Sequence, residues 1–318
     1  MYDTITATIV TTTLISPDIV TPERGRILKA LENHRTTPTQ TGKKITGYIK
    51  NVSFQIFFNS DSQMCRVNFT GSLNKFIHGN NFTLATRKDA ENAIKNLSRI
   101  TGLPLHEAKV TRIDFGACFI MKFPVITYLL LLDGMPSRLK MKKDNYANET
   151  IYFRNKRRRL IFYDKAKQNK EKCKDVVPSE FKNKYVLRYE LRYLKALREQ
   201  FNMEEIMVSD LYDIGFYNRL KKRWGKAYFK IIKYRIQNFE NVKDLKSLVT
   251  FLILNGVEKV GGYDRVLAMI DAICLREKID ATGKCRIKKK IREMYLDKNT
   301  SNITKEIKEL NRKIRGCL

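Results

Sequence analysis

The stretch KYVLRYELRY, residues 184–193, alternates bulky apolar and ionic side chains almost without a break. A strand turns successive side chains to opposite faces, so this pattern is stable only in a sheet whose two sides differ in kind. Tyr185, Leu187, Tyr189, Leu191 and Tyr193 share one face, and Arg188, Glu190 and Arg192 share the other. A single carboxylate between two arginines is not an ordinary core surface, and the chain must supply a sheet around it.

Two further segments fit the same sheet. In TRIDFGACF, residues 111–119, Ile113, Phe115, Ala117 and Phe119 form an apolar face opposite Arg112, Asp114, Gly116 and Cys118. Gly116 leaves room beside Asp114 for a backbone or ligand to approach. In RLIFYDK, residues 159–165, Arg159, Ile161, Tyr163 and Lys165 face away from Leu160, Phe162 and Asp164. As neighbours, the three strands bring Tyr163, Asp114 and Glu190 together among arginines. Two carboxylates can hold a hard divalent ion, Mg²⁺ or Mn²⁺, with water and a phosphate in its other positions. Arginines bind the flanking phosphates.

Parity alone leaves three roles for Tyr163: packing, a surface on which a base stacks, or a nucleophile. Tyr185, Tyr189 and Tyr193 are set aside because their face is apolar, while Tyr146 and Tyr152 remain competitors. An acid among arginines is ordinarily an exposed ion pair contributing about 0–1 kcal/mol.

Charge narrows the partners. The 318 residues include 62 Lys plus Arg against 33 Asp plus Glu, a net charge of +29, yet 43% are hydrophobic. That composition belongs to a folded chain with a basic surface, which attracts polyanions, nucleic acid before an anionic membrane. FPVITYLLLL, residues 123–132, is far short of the ~20 apolar residues that cross a bilayer. The N-terminal MYDTITATIVTTTLISPDIV lacks a basic leader and reads as a strand, so a soluble, cytoplasmic protein is expected. Six cysteines and three histidines are scattered without CxxC, HxH or HExxH spacing, which argues against a zinc site or a disulfide scaffold.

Before residue 200, strand and helix patterns alternate. TITATIV, KKITGYIKN, SFQIFFNS and CRVNFTG read as a meander; LATRKDAENAIKNLSRITGL reads as a helix stopping at Gly102. FPVITYLLLLDG predicts a helix with Pro124 in its first turn and Gly134 at its end, and ETIYF with RLIFYDK predicts a hairpin closed over RNKRR. The expected fold is α+β, a mainly antiparallel sheet with helices on one face over 1–200, followed by a basic all-helical region over 201–318. That region is a candidate for binding DNA or a partner, including the segment around Trp224 and CRIKKKIREMY.

Four segments, in order over about residues 45–200, resemble the filamentous-phage gene II/X type of replication initiator. VNFTGSLNKFIHGNNF is similar to its strand followed by a loop, and VTRIDFGACF to its arginine-isoleucine-aspartate strand. RLIFYDKAKQ is similar to the strand bearing its active tyrosine, and LRYELRYLKALREQF to its arginine- and glutamate-bearing strand. The resemblance implies Tyr163 as nucleophile, with Asp114 and Glu190 at the matching acidic positions; Asp144, Glu149 and Asp164 are further candidates as substitute or additional ligands. The HUH histidine pair of better-known rolling-circle initiators is absent. Arg112, Arg157, Arg158, Arg159, Lys165, Arg188 and Arg192 are the expected DNA contacts, with Arg159 and Lys165 favouring the phenolate.

The implied activity is rolling-circle initiation in a bacterial host. An enzyme of this type is expected to nick an origin, single-stranded or supercoiled, through a 5′-phosphotyrosine link and to leave a 3′-hydroxyl for host polymerase; a host helicase is a further expected partner. Two alternatives stand beside it: a non-catalytic module that binds single-stranded nucleic acid on its sheet, and a metal-dependent nuclease that uses water and leaves Tyr163 dispensable.

Overall fold

The computed structural model describes residues 1–10, 26–61, 63–136, 139–146, 149–173, 175–233, 249, 252–253, 256–257, 259–260, 263–277, 280–296 and 304–318. It is an α+β fold. Its strands before residue 200 are β1 (Tyr2–Val10), β2 (Glu32–Thr39), β3 (Gly42–Ile49), β4 (Val52–Phe58), β5 (Met64–Ser72), β6 (Lys109–Met121), β7 (Leu132–Gly134), β8 (Lys142–Tyr146), β9 (Thr150–Arg154), β10 (Arg158–Asp164) and β11 (Tyr185–Tyr193). All but β7 form one ten-stranded sheet, ordered β2-β3-β4-β5-β1-β6-β11-β10-β9-β8.

The alternating segments become adjacent central strands. β11 pairs antiparallel with β6 on one side and β10 on the other, which aligns three rows: Tyr163, Arg188 and Cys118; Ile161, Glu190 and Gly116; Arg159, Arg192 and Asp114. The β9–β10 hairpin forms over its basic turn as expected. The meander is interrupted, because β1 leaves β2–β5 and inserts between β5 and β6. Polar β2 and lysine-bearing β8 lie at the two ends of the sheet, where charge and Pro38 discourage further pairing.

The apolar face is closed by the helix Ile214–Phe229. Trp224 stacks on Tyr189 with ring centroids 4.8 Å apart, and Tyr189 stacks on Phe162 at 4.3 Å. The Tyr189 hydroxyl donates to the Trp224 carbonyl, 3.0 Å away. Trp224 is therefore a fully buried core residue and not a DNA contact.

Local signals hold where capping is explicit. The helix Arg87–Thr101 begins with a capping box between Thr86 and Asp89 and ends at Gly102, whose φ of 75° suits glycine. The helix expected over 124–134 is shorter: Val125–Leu130, with Pro124 as its N-cap and Leu132–Gly134 extended. The segment after β5 expected as a loop starts with a helix, Leu73–His78, capped by Ser72.

By packing, the chain forms two compact units, residues 1–232 with 312–318, and residues 233–311. Residues 201–232 thus belong with the sheet; the change near residue 200 is one of composition. In the first unit Leu318 packs over Gly225, where an added Cβ would lie 2.6 Å from its Cδ2. In the second, the helices Tyr263–Arg276 and Ala281–Leu296 are joined by Asp271, which pairs with Lys284 and Lys288 at 2.7 and 2.6 Å. Among the described residues no helix is long and apolar enough to cross a membrane.

Candidate active site

On the face opposite Trp224, the three central strands place Tyr163, Asp114, Glu190, Arg188 and Arg192 together. Tyr163 Oη donates to Glu190 Oε1 at 2.8 Å. The same oxygen accepts from Arg188 Nε at 2.6 Å, and Glu190 Oε2 accepts from Arg192 Nε and Nη2 at 2.9 and 2.7 Å. A carboxylate offers about four lone-pair positions, and Glu190 has a donor for each. Asp114 accepts from Arg112 Nε at 2.8 Å and from Arg112 Nη2, with Arg192 Nε 3.2 Å from its Oδ2. Arg192 bridges the two acids.

Arg188 is anchored from below. Its Nη2 donates to Asp3 Oδ2 at 2.6 Å, and its Nη1 to the Asn81 carbonyl at 2.6 Å. Asp3, on β1, was not among the residues singled out from the sequence. Ser72 Oγ lies 2.8 Å from the other Asp3 oxygen. At the Tyr163 end the site abuts a small apolar cluster of Phe82, Cys118 and Val186. It opens toward Arg192 and Arg112, whose side chains are 27% and 31% exposed, against 1% for Arg188.

Gly116 provides the clearance. A Cβ there would lie 2.5 Å from the Tyr189 carbonyl oxygen and 2.9 Å from Glu190 Cγ. The room expected for a ligand is thus occupied by Glu190.

These contacts set the ionisation. Burial, with the negative charge of Glu190 added, pushes the Tyr163 phenol well above its usual value, more than Arg188 offsets. Burial also pushes Asp114 up to about 6, because partly exposed Arg112 and Arg192 offset it incompletely. Burial acts the same way on Glu190, but Arg188 and Arg192 flank it on both sides and hold it well below the ordinary carboxylate range.

The remaining expected residues divide. Lys165 is buried and donates to Gln168 at 2.8 Å, its ammonium 5.2 Å from the Phe82 ring centre. Arg159 is half-buried over Tyr152. Arg157 is exposed at the hairpin turn and pairs with Glu199 at 2.8 Å. Arg158 belongs to the opposite face with Leu160. Arg188, with its donors engaged inside the protein, organises the site and does not present itself to DNA. Asp164 caps the helix Lys165–Gln168, Glu149 pairs with Lys167, and Asp144 pairs with Arg154, so none of the three joins the pair of acids.

The expected divalent ion does not fit this donor set. It would have to displace Arg192 from both carboxylates and stand against Arg188. Among the described residues no three His, Cys, Asp or Glu side chains gather as a metal site.

Two comparisons complete the picture. A search of curated proteins finds no match. A family model describing the N-terminal part of the phage replication-associated gene II protein matches residues 1–214, which carry Asp3, Asp114, Tyr163, Arg188, Glu190 and Arg192. Motif order, sheet and match agree, and the chain belongs to the filamentous-phage family of gene II replication-associated proteins.

Proposed function

We propose that the chain is a rolling-circle replication initiator that nicks and rejoins one DNA strand through Tyr163. The observation that carries this reading is the 2.8 Å hydrogen bond from Tyr163 Oη to Glu190, a nucleophile already joined to a proton acceptor. Attack forms the Oη–P bond and breaks the bond from phosphorus to the 3′ oxygen. The phenol proton passes to Glu190, and the leaving 3′ oxygen takes a proton from water. The products are a 5′-phosphotyrosine link and a 3′-hydroxyl primer for host polymerase. One ester replaces another, so the reverse reaction rejoins the ends without ATP.

Burial keeps Tyr163 a phenol at rest, so its proton leaves as the bond to phosphorus forms. Arg188 is the cation that opposes the burial-driven rise of its pKa most directly. Arg192 has the better placement: a phosphate that draws it from Glu190 gains a guanidinium against developing charge and leaves Glu190 a stronger base. Base stacking on Tyr163 is disfavoured by its burial, at 8% exposure. DNA is the partner in this reading, and recruitment of a host helicase belongs to the same proposal, as does action in the bacterial cytoplasm.

The test uses supercoiled plasmid carrying the cognate element, with and without Mg²⁺ or Mn²⁺. Open circles with an extendable 3′ end, absent with Tyr163→Phe, support the proposal. Nicking retained by Tyr163→Phe points to a hydrolytic nuclease, and a bound but uncut plasmid to a binding module.

A further inference from the structure

Behind the sheet from Tyr163, a cavity of about 350 Å³ lies between β10 and the helix Ile214–Phe229. Arg158, Arg223, Lys226 and Lys230 line it, and among the described residues that line it none is acidic. Met135, Leu139, Met141, Leu160 and Ala227 complete an apolar wall. Arg223, Lys226, Ala227 and Lys230 follow the 3–4 spacing of one helical stripe, and Ala227 keeps the space between the cations open.

Cations near a helix C-terminus complement its dipole, which accounts for Lys226 and Lys230. It does not account for Arg158, which comes from the sheet, or for Arg223, two turns from the end, whose guanidinium also lies 4.8 Å from the Phe201 ring centre. Among the described residues no acid pairs with Arg158, Arg223 or Lys226, whereas Arg112, Arg154, Arg157, Arg188 and Arg192 all have acidic partners. Like charges drawn together against an apolar wall call for an anion that also carries an apolar part.

We infer that this cavity binds a nucleotide unit, its phosphate held by Arg158, Arg223, Lys226 and Lys230 and its base against the apolar wall. A nucleoside phosphate matches both halves of the lining and the volume. The unit can come from a DNA strand or from a free nucleotide. The site is separate from Tyr163 and does not depend on the chemistry proposed there.

Binding is measured in full-length Tyr163→Phe protein, so that cleavage plays no part. The probes are a fluorescein-labelled 20-nucleotide oligo(dT), followed by anisotropy across a salt series, and deoxyadenosine 5′-monophosphate as competitor. Arg158→Gln and Lys226→Glu are each expected to weaken oligonucleotide binding roughly three- to tenfold and to lower the salt slope by about one contact. Exposed Lys88→Glu, on a different helix, serves as the charge control and is expected to change neither as much. Oligo(dT) is expected to protect Lys226 from acetylation. Protection by the monophosphate as well assigns the site to free nucleotide, and protection by oligonucleotide alone to a strand. The inference is overturned if the cavity variants behave like Lys88→Glu, or if neither probe protects Lys226.

Discussion

Arg188 and Asp3 stand 185 residues apart in the chain and 2.6 Å apart in the fold. Through this contact the first strand of the protein holds the guanidinium that holds Glu190, which in turn accepts the hydrogen bond from Tyr163. The pair is buried on both sides. Removing one partner of such a pair leaves a charge without compensation, which typically costs about 3–5 kcal/mol. Asp3→Ala should lose stability on that scale in urea unfolding, and Asp3→Asn, which keeps the shape and one acceptor, should lose less. Equal stability of wild type and Asp3→Ala would remove Asp3 from the account.

Tyr163→Phe separates chemistry from folding. The substitution deletes one hydrogen bond to Glu190, and the carboxylate keeps its arginine donors. A loss of about 1 kcal/mol is expected, well within a stable fold. Nicking should disappear while the unfolding midpoint moves little.

Gly116→Ala tests the packing of Glu190. The new methyl group meets backbone on one side and the Glu190 side chain on the other. The strand cannot yield at the Tyr189 carbonyl without breaking its ladder, so overpacking of about 1–3 kcal/mol is expected, with nicking impaired beyond what stability explains. Cys118→Ala, one row away on the same face, should be far milder and serves as the comparison.

The two acids have opposite pH signatures. Asp114 is raised to about 6 in the fold by burial, so between pH 4 and 6 the folded state binds more protons than the unfolded one, and its contribution makes stability fall as pH rises through that window. Glu190 is depressed by its arginines, so its contribution is present above the ordinary carboxylate range and is lost as pH falls below it. In unfolding measurements from pH 3 to 8, Asp114→Asn should flatten the dependence between pH 4 and 6. Glu190→Gln should act mainly at lower pH.

The faces of β6, β10 and β11 were legible because alternation by two is a property of the strand itself. Tyr163, Asp114, Glu190 and Arg192 follow from it once the three strands are neighbours. The family resemblance points to Tyr163, Asp114 and Glu190 without giving the strand order. Asp3 was hidden for a different reason: MYDTITATIV shows that it is a strand, and nothing local shows that β1 leaves the meander to pair with β6. The one available signal was a lone acid in an otherwise uncharged strand. For Lys165 and Arg188 charge suggests exposure and contact with DNA, whereas the fold buries each with partners of its own. The cavity cations are split between a strand and a helix, and only packing of the helix Ile214–Phe229 on the sheet joins them.

The most direct test of the account asks which atom becomes joined to DNA. The protein is incubated with 3′-labelled origin DNA, the covalent adduct is digested with nuclease and trypsin, and the nucleotide-bearing peptide is identified by mass. Cleavage after Arg159 and Lys165 releases LIFYDK, residues 160–165, in which Tyr163 carries the sole hydroxyl. The account predicts the nucleotide mass on this peptide and on no other. A nucleotide found on a different tyrosine peptide, or cleaved DNA with no adduct, would contradict it.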